Sequence, residues 1–348
     1  MKKLLSQYNY KLPPELIAKL PASPRDSARL LVWDKKTQAQ TEDIFLHLDR
    51  YLPKNSVIVF NQTRVIPARI RAVKTTGGKV ELLYLSHKGN RVTCLANKPL
   101  TPNTILIFYG RKKQGHLLTL IKKQGDKYIF KTSVPGSQIP TLIRNYGITP
   151  LPPYMKNSPL PEKERRKWYQ TIFAKKGLSI AAPTAGLHFT KRLLKKLKAK
   201  KIQPAFIRLD VGLGTFAPLT ETQIYSRRLH EEFYHIDPKT HLLLKKAKQT
   251  GRPIIAVGTT VVRTLESAYK NPKKPKLSGN TNLFITPGFA FSMTGGLITN
   301  FHVPKSSLLM LVAGLVGRKR LFNLYQYAIN KKFRFFSFGD AMLVKPDN

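Results

Sequence analysis

The sequence predicts an α/β domain interrupted by a small antiparallel β-barrel. Three observations carry this. Strand-length apolar runs (Leu30–Trp33, Val57–Phe60, Pro204–Val211, Ile254–Val257) alternate with helical patterns at both ends of the chain. Between about Ala68 and Ser133 the texture changes to short strand-like runs separated by turn signals. Gly296–Val316 reads as a buried strand, a polar loop and an apolar helix. The expected division gives residues 1–67 and 151–348 to the α/β domain and 68–150 to the inserted barrel.

Taken in order, Leu12-Pro13-Pro14 breaks the opening, and an arginine-bearing loop, Pro24-Arg25-Asp26, precedes the first strand at Leu30–Trp33. Ile44–Leu52 is a short amphipathic piece. Val57–Phe60 is a strand ending in Asn61-Gln62-Thr63-Arg64, and polar residues at a strand end are a common place for a site in such sheets. Barrel strands are expected at Lys79–Leu85, Arg91–Ala96, Thr104–Phe108, Leu117–Ile121 and Tyr128–Thr132. Tyr146–Pro161 is proline-rich and extended. A basic helix should follow through Trp168 and Tyr169 to about Gly177, then a strand at Ser179–Ala182 and a tight loop at Pro183-Thr184-Ala185-Gly186. Thr190 caps a helix whose inner face is Leu193, Leu194 and Leu197 and whose remainder is crowded with lysine. Pro204–Val211 runs into Gly212-Leu213-Gly214-Thr215. Ile254–Val257 runs into Gly258-Thr259-Thr260 and a helix with Arg263 and Glu266 one turn apart. The segment Arg334–Leu343 puts Asp340 after a strand.

In Gly296–Val316, Leu297–Thr299 ends a strand, Asn300-Phe301-His302 forms a loop, and Pro304, Ser306 and Ser307 supply helix-start chemistry. The helix is far short of the roughly 20 apolar residues a membrane span needs. Its free amides point at a loop holding Asn300, His302 and Lys305, an arrangement suited to a carboxylate or phosphate. A capped core helix with no ligand fits the same spacing.

Charge is the outstanding compositional feature: 61 Lys+Arg against 18 Asp+Glu, formally +43. Such a field favours a nucleic-acid partner, although a general lysine bias produces the same total. One cysteine, Cys94, excludes an internal disulfide and suits a reducing compartment. With neither a signal peptide nor a membrane span apparent, a cytoplasmic location is expected. No metal is expected: His230 and His235 sit five apart, about 140° around a helix, away from zinc geometry. A phosphate-binding P-loop and a serine nucleophile elbow are both absent. The loops Thr184–His188, Gly212–Thr215, Gly258–Thr260 and Thr299–His302 can gather at one sheet edge as a polar cleft. Spacing goes no further toward a reaction.

Longer motifs do. The stretches NQTRVIPARI from Asn61, AAPTAGLHFT from Ala181, VGLGTFAPL from Val211, GTTVVRTLE from Gly258, TNFHVPKSSLLMLV from Thr299 and RFFSFGDAML from Arg334 resemble the S-adenosylmethionine:tRNA ribosyltransferase-isomerases of queuosine biosynthesis. The resemblance implies the α/β-plus-barrel fold and an unusual reaction. S-adenosylmethionine, a ribosyl-donor substrate and not a true cofactor, gives its ribosyl part to the aminomethyl group of 7-aminomethyl-7-deazaguanine at the wobble position of tRNA. Epoxyqueuosine forms as adenine and methionine leave. Separately from the resemblance, no membrane partner and a monomer are expected. Such chemistry calls for a base beside the sulfonium and an acid for adenine. His188, His302, Glu232 and Glu266 are the catalytic candidates, with His230 a further titratable group. Substrate-binding candidates are Arg64, Thr184, Gly186, Gly212, Gly214, Thr215, Thr259, Thr260, Arg263, Asn300, Lys305 and Asp340. The chain departs from the family pattern at Gln62, Asp210 and Gly295. The competing readings are a catalytically impaired, strongly basic RNA-binding relative and, with little support, an ordinary methyltransferase.

Overall fold

A computed structural model describes residues 2–109, 115–156, 158–212, 214 and 219–347. Its contacts divide into two units, one of Met1–Arg64, Pro152–Leu160 and Trp168–Asn348, the other of Val65–Leu151 and Pro161–Lys167. The strands are β1 (Arg29–Trp33), β2 (Gln40–Ile44), β3 (Val57–Asn61), β4 (Arg69–Lys74), β5 (Lys79–Lys88), β6 (Arg91–Ala96), β7 (Ile105–Tyr109), β8 (Gly115–Gln124), β9 (Lys127–Thr132), β10 (Gln203–Leu209), β11 (Arg228–Ile236), β12 (Ile254–Val257), β13 (Ser278–Leu283), β14 (Gly296–Asn300) and β15 (Ala341–Val344). The helices are α1 (Lys2–Ser6), α2 (Ile139–Tyr146), α3 (Glu162–Trp168), α4 (Lys191–Ala199), α5 (Glu221–Ser226), α6 (Pro238–Gln249), α7 (Thr259–Ala268), α8 (Ser307–Val316) and α9 (Arg318–Asn330).

The second unit is the expected barrel. Its strands close antiparallel in the order β4-β5-β6-β9-β8-β7. Alternation drives the closure: Val80, Leu82 and Tyr84 of β5 and Tyr128 and Phe130 of β9 are buried, while their neighbours face outward.

The first unit is built on a mixed sheet in the order β13-β11-β10-β3-β12-β14-β15-β1-β2. Strands β10, β3, β12 and β14 run parallel, and β3 is buried along its whole length, as a central strand covered on both faces should be. One face packs against α6, α7, α8 and α9 through Leu244, Val261, Leu309, Met310 and Leu321. The other packs against α4 and a 3-10 turn at Phe45–Arg50 through Phe45, Leu48, Leu193 and Leu197. Helix α8 begins where its sequence says it should: the Ser306 side chain accepts the Leu309 N–H, and Leu309–Ala313 are buried without interruption. Each such side chain contributes about 1.5–3 kcal/mol of burial.

Several local expectations are corrected. The basic helix stops at Trp168; beyond it the buried Tyr169 and Phe173 hold the chain, and Lys175 N–H bonds Gln62 O while Arg64 N–H bonds Lys176 O. Ser179–Ala182 is not a strand, because Ser179 and Ile180 each find a single backbone partner, in Arg64 O and Val211 O. His230 and His235 lie on β11, not on a helix, with a register shift in the strand between Arg228 and Glu232. Asp340 precedes β15 instead of following a strand. Among the described residues no helix is long and apolar enough to cross a membrane.

Candidate functional site

The parallel strands β10, β12 and β14 end on one sheet edge, and the loops leaving them line a cavity of about 530 Å³. Val211 and Gly214 come from the first loop, Gly258–Thr260 from the second, and the run from Thr299 to Leu308 from the third. Tyr154, Ala182–Ala185, Phe336 and Ser337 complete the wall.

Two helices start in this wall. Helix α7 follows Gly258, whose φ of 90° turns strand into helix in a conformation that side chains rarely adopt. No side chain caps it, so its first amides at Thr259 and Thr260 are left for a ligand. Helix α8 follows Lys305 and Ser306, which also line the cavity. Among the described lining residues Lys305 is the one charged side chain, and no carboxylate is present. The cavity therefore has a positive end built from two helix termini and one ammonium group.

The loop after β14 is held by two tyrosines. Tyr10 OH donates to His302 O at 2.5 Å, and His302 N–H donates to Tyr325 OH at 2.8 Å. The His302 ring, half-buried in the cavity wall, has Nε2 2.8 Å from Thr299 Oγ1. Loss of water pulls its pKa down to about 4, so the imidazole is neutral at pH 7.

Tyr154 and Phe336 add an aromatic stretch to the cavity wall, with ring centroids 4.8 Å apart. Tyr154 OH lies 2.6 Å from Ser337 Oγ, and burial raises its pKa to about 12. Phe336 has a φ of 71°, held by its N–H to Phe301 O, in a backbone region that costs an aromatic residue ~1–3 kcal/mol.

Of the residues singled out by sequence, Thr184, Gly214, Thr259, Thr260, Asn300, His302 and Lys305 line this cavity, and Thr215 lies outside the described residues. His230 packs beside the rim, since a Cβ on Gly214 would meet its ring at 2.9 Å. His188 stands behind Asn300 instead, its Nε2 3.0 Å from Asn300 Nδ2 and its ring on Phe45. Burial, with the charges of Arg334 and Arg25, lowers its pKa to about 4 against the opposing pull of Asp340. Gly186 is buried against Thr171, where a Cβ would approach to 3.0 Å.

The other candidates hold loops. Glu232 Oε1 accepts the Gly212 N–H at 2.8 Å, and its Oε2 pairs with Arg263 Nη1 at 2.5 Å, both side chains buried. Arg263 also reaches the carbonyls of Thr281 and Leu283, and its ion-pair partner is Glu232 of β11, not Glu266. Glu266 accepts the amides of Ser292, Met293 and Thr294 and the hydroxyls of Ser292 and Thr294. Asp340 binds the Arg29 and Arg334 amides and the Arg334 guanidinium. Arg64 is exposed outside the lining. Sequence reasoning passed over Tyr154 and Phe336. Their one signal was aromatic density in PLPPY and RFFSF, which no spacing rule ties to a cavity. None of the departures at Gln62, Asp210 and Gly295 lines it either: Asp210 accepts from Thr63 Oγ1 and pairs with Arg208, and Gly295 N–H bonds Ile254 O.

A family model described as queuosine biosynthesis protein matches residues 5–344. The S-adenosylmethionine:tRNA ribosyltransferase-isomerase of Carboxydothermus hydrogenoformans is 44% identical over 98% of this chain and 99% of its own length. Its namesake from Thermotoga maritima is 40% identical over 98% and 99%. The crystal structure of an S-adenosylmethionine tRNA ribosyltransferase from Thermotoga maritima matches 97% of this chain and 99% of its own, at 33% identity and a TM-score of 0.56.

Proposed function

The chain belongs to the queuosine biosynthesis protein family, and on that premise we propose that it is an S-adenosylmethionine-dependent tRNA ribosyltransferase-isomerase. It transfers and isomerises the ribosyl part of S-adenosylmethionine onto the aminomethyl group of 7-aminomethyl-7-deazaguanine in a tRNA anticodon, giving epoxyqueuosine, adenine and methionine. The observation that carries this reading is a cavity whose lining combines two helix termini and Lys305 with the Tyr154–Phe336 aromatic wall. A donor that carries both a carboxylate and a flat base suits such a lining.

In this reading Lys305 and the amides of α7 and α8 hold the methionine carboxylate, and adenine lies against Tyr154 and Phe336. His302 is the proton acceptor beside the sulfonium: a neutral imidazole whose Nε2–H is given to Thr299 keeps a lone pair on Nδ1. Tyr154 OH, kept protonated by its raised pKa, is a donor for the departing adenine. Asn300, whose buried Oδ1 has no partner among the described residues, is the acceptor we assign to a ribose hydroxyl. His188 positions Asn300, and Glu232 with Arg263 positions the loop from Gly212 to Gly214. We place the reaction in the cytoplasm, where tRNA is modified, and in a monomer, since one chain supplies every assigned group.

The test is incubation with S-adenosylmethionine and tRNA carrying the aminomethyl-deazaguanine base. Adenine release matched by ribosyl incorporation is expected; tRNA binding without adenine release supports the impaired RNA-binding alternative.

A further inference from the structure

On the sheet face packed by α4, helix cover stops at β10. Ala205, Ile207 and Leu209 bury toward α6 and α7, while Phe206 and Arg208 point the other way, where Phe233 and His235 of the neighbouring β11 are exposed. Phe233 is 40% exposed, unusual for a ring in the middle of a strand. Two grooves of about 680 and 830 Å³ share Pro204 and Phe206. Lys175, Lys176, Arg208 and Lys239 line the first; Lys198, Lys201 and Arg252 line the second.

Cations and rings interleave here. Lys175 Nζ lies 5.8 Å from the Phe206 ring, and Arg208 lies 5.4 Å from the Phe233 ring. Asp210 neutralises part of Arg208, and Asp237 is occupied capping α6. The ammonium groups of Lys175, Lys176 and Lys239 enter no ion pair among the described residues. Part of the cationic face of α4 is already engaged: Lys196 pairs with Asp49, Lys200 donates to Asp49 O, and Arg192 pairs with Asp26. The first groove is joined to the wall of the reaction cavity through one buried residue. Gln62 lines the groove, and the adjacent Asn61 Nδ2 lies 3.4 Å from Thr260 Oγ1 in the cavity wall.

We propose that this strip is the docking surface for the RNA substrate, with phosphates along Lys175, Lys176 and Lys239 and an unstacked base on Phe233. The proposal rests on the tRNA acceptor assigned above and adds where that acceptor lies. Free cations beside exposed rings suit RNA, whose phosphates supply charge and whose unpaired bases stack. An acidic protein surface would use the cations but leave the ring without a stacking partner.

The experiment titrates full-length protein with tRNA carrying the aminomethyl-deazaguanine base between 50 and 200 mM salt. It compares wild type with Lys175→Glu/Lys239→Glu, with the charge-matched control Lys245→Glu/Lys248→Glu on exposed α6 positions, and with Phe233→Ala. The strip variant should lose about tenfold or more in affinity, and its log–log salt slope should flatten by about 1.4–1.8, the value for two phosphate contacts. The control should change much less. Phe233→Ala should lose about tenfold at an unchanged slope. Equal losses in the two charge variants, or none in the strip variant, overturn the proposal. S-adenosylmethionine binding equal to wild type shows that the variants are folded. Wild type that binds tRNA through the strip but releases no adenine leaves the docking surface standing and removes the proposed reaction.

Discussion

Asn300 donates from Nδ2 to His188 Nε2 at 3.0 Å, so a cavity-lining amide is held by a histidine that does not itself line the cavity. Asn300 is buried at the end of β14, and His188 is buried in a 3-10 turn that packs on Phe45. The pair fixes which way the amide faces.

His188→Phe should therefore lower kcat by about ten- to a hundredfold with little change in the KM for S-adenosylmethionine. His188→Gln, which can still accept the Asn300 hydrogen bond, should recover much of the loss. Steady-state kinetics on the two variants decide it; a Gln variant no better than Phe contradicts the positioning role.

Two desolvated histidines, His188 and His302, make the fold acid-sensitive in a defined window. His188 and His302 have pKa values lowered from 6.5 to about 4, so the unfolded chain binds more protons between those values. Their contribution to stability is complete above about 6.5 and is lost as pH falls toward 4. The carboxylates held low, Asp43 at about 2 among them, lose their contributions at lower pH. Urea unfolding from pH 4 to 7 should show this slope, and His188→Gln/His302→Gln should flatten it.

Removing one side of the Arg263–Glu232 pair should cost about 3–5 kcal/mol, because the remaining charge is buried and unpaired. Glu232→Gln should be milder than Arg263→Met, since Gln retains an acceptor for the Gly212 N–H. Equilibrium denaturation measures both. Equal, small losses would show that the pair is solvated.

If His302 takes the proton, His302→Ala should slow the chemical step by ~10²-fold or more. Single-turnover kinetics within a few-fold of wild type, in a folded variant, would remove it from that role. Lys305→Ala should instead raise the KM for S-adenosylmethionine about tenfold while leaving kcat close to wild type, because a surface-reaching ammonium contributes to binding alone.

The β14–α8 segment was legible because its determinants are local: a short strand buried along its whole length, a serine N-cap and a continuous apolar helix. Strand β2, QTEDI, was not, because an edge strand can be polar on both faces. Helix α3 ends early because tertiary burial of Tyr169 and Phe173 overrides a helix-compatible pattern. The cavity loops were found from their place at strand ends, yet the roles of Arg263 and Glu266 were hidden. An i,i+3 spacing reports local neighbours only, whereas Arg263 finds Glu232 on strand β11 and Glu266 finds a loop 26 residues on. No periodicity in one sequence encodes such pairings, and the Tyr154–Phe336 wall was missed for the same reason.

The most direct test of the cavity's assignment combines product analysis with one variant. Wild type, S-adenosylmethionine labelled in the ribose and tRNA carrying the aminomethyl-deazaguanine base should give one adenine per ribosyl group incorporated. Phe336→Ala, which removes half of the adenine wall, should lower kcat/KM for the donor by about ten- to a hundredfold while tRNA affinity holds. Label transferred as a methyl group, adenine released without incorporation, or a Phe336 variant as active as wild type would contradict the assignment of this cavity to ribosyl transfer.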